Sequence, residues 1–561
     1  MAGSGKAVGK VVGRAEKGVG RGASHRSAAA LTLAGITAAG LLAACSGGSS
    51  GGSSGSGNAT FRYAMTGLPT SLDPANYQGD PSRDIGYEEG STLFRWKSET
   101  LPNKGCDAVP TVDNITGELA DSFTRSGTTI TVKLKTDPKS AAGNPLTADD
   151  VKWTIDRLIA LDVGTPLTLM RDVAHWTDDP ITVVDDHTFT ISTTKPSTMD
   201  LAILSWPQFR ILDSVDVKKH VTAADKWGGK YLDTTSANFG PWQNSAADFD
   251  PGNRLTMKAN PNYAGERGDV KTLVMQSTPD ASSRAQLLQT GNTDYASNLQ
   301  YTQYASLKSA SGVDVQSCAS ADRIPLILNA KDPRLGKPEV RRAISLAIDR
   351  DALVKAASAG FNKASKYGLT QSYKYPTTAA GTYEHDVAEA KSLMASAGVG
   401  SFSITLTESP ARPGPEAEQI SVLLRTQLAK IGISVKIRTQ ASATDLNTTF
   451  HDANFQALLY LEPPAISDPY YSLFLYNSSE SGLNTYGYKN SEYDSLTAKV
   501  GETAPGAERN QLISKAAEIL VQDPAAIYLI DKQFVHAVSK GFTNYQHAPN
   551  GSLFVYTLEK A

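Results

Sequence analysis

Covalent catalysis needs a nucleophile with a base, a pair of carboxylates or a metal, and this chain has few candidates for any of them. Its three cysteines are Cys45, Cys106 and Cys318, and its eight histidines are scattered. Neither C-x-x-C nor H-E-x-x-H occurs, so the spacings that mark a dedicated metal site are missing. Gly51-Gly52-Ser53-Ser54-Gly55 matches the G-x-S-x-G pattern of a serine nucleophile. That pattern works only on a sharp turn from a strand into a helix. Here it lies in Ser46 to Asn58, a run made almost wholly of glycine and serine, which behaves as a flexible coil. No catalytic residue, metal ligand or cofactor is therefore assigned.

Cys45 has a different kind of chemistry in prospect. Before it, Lys6, Lys10, Arg14, Lys17, Arg21 and Arg26 face a single acid, Glu16, and Ser27 to Ala44 carries no charge. A basic start, a short apolar core and a small-residue boundary read as a secretion signal over residues 1–44. The core is short and alanine-rich for a stable span, although an uncleaved signal anchor is the competing reading. Leu42-Ala43-Ala44-Cys45 resembles the bacterial lipobox, in which cleavage precedes the cysteine and its thiol receives diacylglycerol. Residues 45–58 then form a lipidated tether. This places the protein on the outer face of the cytoplasmic membrane, held by lipid alone, since several acyl chains hold firmly where one does not.

The elements that must position any site lie beyond the tether. About five hundred residues exceed what one core supports, so two or three domains are expected. The chain's formal charge is −3 and the leader carries six bases and one acid, +5, so the remainder carries −8. Nucleic-acid binding would want the opposite sign. No second long apolar run follows the leader, so the body is expected to be soluble. Cys106 and Cys318 either form one disulfide, as an oxidising exterior permits, or stay as two buried thiols; spacing alone does not supply the required Cα separation.

Ile130, Val132 and Leu134 alternate with polar residues as a strand with one buried face. Thr147 and Asp150 resemble a capping box, and Val151, Ile155, Leu158 and Ile159 line the helix behind it. Phe189 and Ile191 mark another strand. Pro338 starts a helix striped by Val340, Ala343, Ile344, Ala347 and Ile348. Arg341 and Arg342 sit early in it, where the helix dipole disfavours cations. Farther on, Phe402, Ile404 and Leu406 make a strand, Pro415 to Ile431 a helix ended by Gly432, and Ile433, Val435 and Ile437 a second strand. Strand–helix–strand implies parallel pairing. Phe455 to Leu461 reads as a strand covered on both faces. Open α/β sheets bind ligands beyond the carboxyl ends of their strands, which points at Tyr460, Glu462 and the following PPAISDPYY.

These segments contain an ordered set of blocks: TSLDPANY at Thr70, LADSFTRSGTTITVKLK at Leu119, GNPLTADDVKWTIDR at Gly143, NFGPWQ at Asn238, MKANPNYAG at Met257, LILNAKDPRLGKPEVRRAISLAIDRDALV at Leu326, then SDPYY and GYKNSEYDSL. From about Phe61 to its end, the chain resembles the family 5 extracellular solute-binding proteins of ABC importers, the oligopeptide- and dipeptide-binding type. The resemblance implies an α/β, two-lobed, type II periplasmic-binding-protein fold with an inserted domain, three domains in all. Domain I would comprise residues 59–92, 201–322 and 533–561, domain II 93–200 and domain III 323–532.

The same resemblance implies a monomeric receptor that closes on a peptide or similar small polar solute and delivers it to a permease and ATPase complex. Ligand contacts would come from Phe94, Trp206, Trp242, Tyr460 and Tyr470, with Glu462 as a carboxylate and Asn329 at the hinge. Two departures weaken a dipeptide assignment. The carboxylate that family members place three positions before the D-P aspartate is Ala465 here, and no arginine lies between Ala352 and Thr378. Asp349 and Arg350 are expected to form a structural ion pair. The alternatives are a peptide-sensing receptor of the same fold or an exported hydrolase.

Overall fold

The computed structural model describes residues 59–77, 79–96, 115–373, 375, 381–524 and 526–561. The signal segment, the tether with Cys45, and Cys106 lie outside the described residues.

Two long strands, Val313–Leu328 and Ala526–Ser539, run antiparallel through the middle of a twelve-stranded sheet. They are apolar and largely buried along most of their length, which suits a ribbon with neighbours on both edges. At one end of the pair, Ala526–Ser539 joins Tyr295–Ala296, followed in order by Ala59–Met65, Val270–Ser277, Arg254–Ala259 and Trp242–Gln243. At the other end, Val313–Leu328 joins Ala457–Leu459, then Phe402–Glu408 and Ile433–Thr439. Pairing is regular from Val313↔Ser539 to Ala319↔Gln533 and resumes at Arg323↔Asp531. Ser320, Ala321 and Asp322 thus stand opposite Lys532 alone, a bulge between the two ends of the ribbon. Cys318 lies just before this break, buried and disulfide-bonded.

Each end of the ribbon has its own core. Phe61, Trp242, Leu255, Val270 and Leu273 fill one, and Ile344, Ile404, Leu424, Val435 and Leu459 fill the other. A separate antiparallel sheet takes the order Ala120–Ser126, Thr129–Leu134, Thr188–Thr193, Trp176–Asp185. Ile130, Val132, Leu134, Phe189 and Ile191 are its buried face, as their alternation predicts. Helix Ala148–Ala160 starts at the predicted box: the Asp150 carboxylate accepts from the Thr147 backbone N–H at 2.9 Å. It buries Val151, Ile155 and Leu158, while Ile159 is only partly covered.

The strand–helix–strand unit is present with Phe402–Glu408 parallel to Ile433–Thr439. The helix is shorter than its pattern, Ala417–Ala429. Gly432 takes φ +83°, and a Cβ there would meet Ser401 Oγ at 2.9 Å, so both conformation and space favour glycine. The buried strand predicted at Phe455–Leu461 contracts to Ala457–Leu459.

The arginines of the Pro338 helix behave differently from a simple dipole argument. Arg341 pairs with Asp523 and donates to the Gly336 carbonyl at 2.7 Å, and Arg342 donates to the Val521 carbonyl at 2.8 Å. The Asp349–Arg350 ion pair does not form. Asp349 instead caps helix Arg350–Ser358 through the Ala352 N–H, 3.0 Å. Arg350 turns inward to the Tyr528 carbonyl, 2.8 Å, and lies 4.1 Å over the Tyr383 ring. Adjacent residues at a helix start point apart, and a short acid there is better used on the free N–H groups. Burial, opposed mainly by Tyr383, lowers Arg350 to about 10.

Candidate functional site

Three strands end on the same edge, because Ala457–Leu459 and Ile433–Thr439 both run parallel to Phe402–Glu408. The segments that leave those ends carry the polar groups of the site. Arg412 rises from the loop after Phe402–Glu408. It donates to the Leu461 carbonyl at 3.1 Å and places its Cζ 4.9 Å over the Tyr460 ring. Its Nε is buried with no hydrogen-bond partner among the described residues. Tyr460 stacks on Phe450, with centroids 4.6 Å apart and planes 18° from parallel, and donates to Asn447 Oδ1 at 2.9 Å. These contacts fix the ring as a platform for the guanidinium.

Glu462 follows two residues later on the same side of the chain. Its backbone pairs with Arg323, N–H to carbonyl at 3.1 and 2.9 Å. Its side chain is 1% exposed, and neither carboxylate oxygen has a hydrogen-bond partner among the described residues. Burial raises its pKa to about 7, although Arg323 and the nearby hydroxyls of Tyr528 and Ser472 pull the other way. Ser472 Oγ and the Tyr373 hydroxyl are likewise buried and unpartnered. Tyr476 connects the two charged groups: burial raises its pKa first, Tyr471, Glu462 and Tyr460 push the same way, and Arg412 opposes.

Arg323 itself is committed. It pairs with Asp531 at 3.2 Å, both fully buried, and donates to the Gly368 and Tyr367 carbonyls at 2.8 Å each. Its Cζ lies 3.4 Å over the Tyr528 ring. Asp531 also accepts from Ser365 Oγ at 2.6 Å and the Gln371 N–H at 2.9 Å. This pair holds the ribbon at the point where its regular pairing resumes. Asp468 of the SDPYY block is committed too, bound by Arg509 at 2.7 Å.

Of the residues singled out from the sequence, Tyr460 and Glu462 share this site. Phe94, Trp206 and Tyr470 belong to the same apolar cluster as Tyr460. Trp206 donates to Gln208 Oε1 at 3.1 Å; Tyr470 packs so closely on Gly501 that a Cβ there would come 2.6 Å from the ring. Trp242 lies apart, in the core around Phe61, where its indole donates to Glu88 at 2.8 Å. Asn329 spends its side-chain amide on the Phe455 and Ala453 carbonyls, 2.8 and 3.1 Å, as a clamp on the backbone. Arg412, Tyr476, Ser472 and Tyr373 are additions that the sequence reading missed. The carboxyl-end rule, applied to Phe402–Glu408 as well as to the last strand, reaches Arg412 directly.

Across from helix Ser491–Glu502, the Thr198 N–H donates to the Gly501 carbonyl at 3.3 Å, and Arg509 reaches Thr198 Oγ1 at 3.5 Å. An open groove of about 350 Å³ lies elsewhere, around Asn76, Leu161, Asp225 and Trp227. Its guanidinium, Arg157, is already spent on Asp73 at 2.8 Å and on the Trp227 carbonyl at 3.0 Å.

Among the described residues no helix is long and apolar enough to cross a membrane, and no cluster of three or more His, Cys, Asp or Glu residues is arranged to hold a metal ion.

Residues 114–484 match the family model of bacterial extracellular solute-binding proteins, family 5 Middle. The probable D,D-dipeptide-binding periplasmic protein DdpA of Escherichia coli (strain K12) is 27% identical over 487 residues, covering 86% of this chain and 90% of that protein. The glutathione-binding protein GsiB of Escherichia coli O1:K1 / APEC is 25% identical over 513 residues, with the same coverage. Among solved structures, DppA of Helicobacter pylori in complex with the peptide STSA superposes with a TM-score of 0.74 at 21% identity, over 90% of this chain and 98% of that one. HbpA2 of Haemophilus parasuis superposes with a TM-score of 0.76 at 20% identity, over 90% and 100%. The fold is thus the two-lobed α/β type II periplasmic-binding-protein fold. The matched segment spans most of the chain and contains every group of the site from Arg323 to Tyr476, so the chain belongs to the bacterial extracellular solute-binding proteins of family 5.

Proposed function

We propose that this protein is the substrate-binding component of an ABC importer, a monomer that captures a peptide or similar mid-sized polar solute and hands it to the permease and ATPase complex. The observation that carries this reading is the set of buried, unpartnered polar groups at three converging strand ends, with Arg412 and Glu462 at its centre. A cavity wall with unmet hydrogen bonds is costly unless something arrives to meet them. Phe94, Trp206, Tyr460 and Tyr470 supply the apolar surface that such sites use alongside a few polar groups. The bulge at Ser320–Asp322 opposite Lys532 supports a hinge there, between a domain III at 323–532 and a discontinuous domain I at 59–92, 201–322 and 533–561, with domain II at 93–200. The solute then favours the closed form by touching both sides. The buried, disulfide-bonded Cys318 supports pairing with Cys106.

The test is small-angle X-ray scattering of the purified protein, stripped of bound solute and then titrated with a mixed tripeptide pool. A fall in radius of gyration on binding, with the pool recovered unchanged by mass spectrometry, is the expected result. An unchanged profile, or hydrolysed peptides, would sink the reading.

The likeness of Leu42–Cys45 to a lipobox supports a diacylglycerol anchor on Cys45, with residues 45–58 as its tether. Cys45→Ala is expected to move the protein from the membrane fraction to the medium without changing its melting temperature. Retention of the variant on membranes would exclude lipidation at this position.

A further inference from the structure

We infer that Lys532 is a positioning residue for capture: standing at the hinge, it holds the loop that carries Arg412, so that bending of the ribbon and placement of that guanidinium are one motion. The inference rests on the receptor reading above and adds to it how closure reaches the solute. Lys532 faces the three-residue bulge Ser320–Asp322 alone. Its side chain leaves the ribbon for a loop far away in sequence. Nζ donates to the Pro413 carbonyl at 3.1 Å and to Glu416 Oε1, 116 positions earlier in the chain, at 2.8 Å.

That loop joins strand Phe402–Glu408 to helix Ala417–Ala429 and reads SPARPGPE. Pro410, Pro413 and Pro415 bring no N–H of their own. Its first half closes on itself: the Arg412 N–H donates to the Ser409 carbonyl at 3.1 Å and the Ala411 N–H to Ser409 Oγ at 3.2 Å. Its second half is tied from outside, by Lys532. Gly414, at φ +146°, lies where a Cβ would come 2.5 Å from Glu416 Oε2, so the chain is folded closely around that carboxylate. Pro413 follows Arg412 directly, and Arg412 reaches the Leu461 carbonyl and the Tyr460 ring. The arginine is thus set by the Lys532 grip on its backbone side and by the site on the other.

The Lys532–Glu416 pair is well sheltered, at 19% and 1% side-chain exposure. Burial alone would lower the Lys532 pKa, but Glu416, then Tyr301 and Asp322, outweigh it and keep the ammonium charged. Tyr301 brings in the far side of the hinge. It opens helix Tyr301–Leu307 in the proposed domain I, its hydroxyl accepts from Asn362 at 2.9 Å, and its phenol lies within the fields of Lys532 and Glu416. Bulge, domain I helix and Arg412 loop therefore meet at one side chain.

The experiment is a double-mutant cycle, read by calorimetry with the tripeptide pool. Lys532→Met removes the donor and keeps the stem. It should weaken binding about tenfold in otherwise wild-type protein. In an Arg412→Ala background the further loss should be no more than about twofold, because the loop then has no guanidinium to place. Lys532→Arg keeps charge and donors and should recover most of the affinity. A merely structural lysine would lower the melting temperature and cost the same in both backgrounds. Equal losses in the two backgrounds, no loss in either, or an Arg412→Ala variant that binds like wild type would overturn the inference and leave the receptor reading standing. If Lys532→Met does not fold, Lys532→Met with Glu416→Gln, which leaves no buried charge unpaired, takes its place in the cycle. A wild type that binds none of the pool would remove the receptor reading and this inference with it.

Discussion

Asp531→Ala is expected to cost the protein about 3–5 kcal/mol of stability, the usual penalty for leaving one partner of a buried ion pair uncompensated. The affected pair joins the two long strands where regular pairing resumes, and neither side chain has any exposure. Arg323 would keep its carbonyl and ring contacts but lose its counter-charge, while Ser365 Oγ and the Gln371 N–H would lose an acceptor. Asp531→Asn keeps an oxygen for those donors and should cost less. Urea unfolding followed by fluorescence reads the difference as a shift in midpoint at constant slope. A loss below about 1 kcal/mol for the alanine variant would mean that the pair is hydrated, and the hinge description would fail.

The second large effect concerns binding rather than folding. Arg412→Ala is expected to weaken the free-carboxylate tripeptide pool by about a hundredfold, near 3 kcal/mol. The side chain is partly exposed and has no ion-pair partner among the described residues, so melting should change little. Its role rests on the stack over Tyr460 and the unused Nε. Arg412→Lys should restore only part of the affinity, because an ammonium cannot offer the planar, stacked fork. Calorimetry with the same pool amidated at its carboxyl terminus supplies the control. If the amidated pool binds wild type as well as the free pool does, Arg412 is not an anion partner.

Local pattern made much of the architecture readable. Ile130 to Leu134, Phe189 with Ile191, and the unit from Phe402 to Ile437 declare themselves by period, and the structure keeps their buried faces. Element ends were less readable, because tertiary contacts set them: Phe455–Leu461 looks uniform, yet only Ala457–Leu459 forms a strand, and of these only Ala457 and Leu458 pair on both edges. The site divided in the same way. Tyr460 and Glu462 follow from a rule about strand ends, which is local. Arg412 lies some fifty residues earlier in a loop rich in proline and glycine, and only the parallel pairing of Phe402–Glu408 with Ala457–Leu459 brings it to Tyr460. Trp242 and Asn329 show the limit of residue type as a guide. Large aromatic and amide side chains suit a cleft and a core equally well by type, and here Glu88 and two backbone carbonyls claim them. Asp349 and Arg350 looked like partners because they adjoin, but neighbours along a chain rarely face each other.

The interruption at Ser320–Asp322 spans three residues of one strand, and the ladder slips once more between Ile324 and Pro325. If the hinge proposed above lies there, both strands run through it unbroken, so the pivot would be elastic, with a rest position. No slack strap has to be reeled in after each cycle. On the proposed hinge reading, the bend that two continuous strands resist would favour return of the empty molecule to its starting geometry.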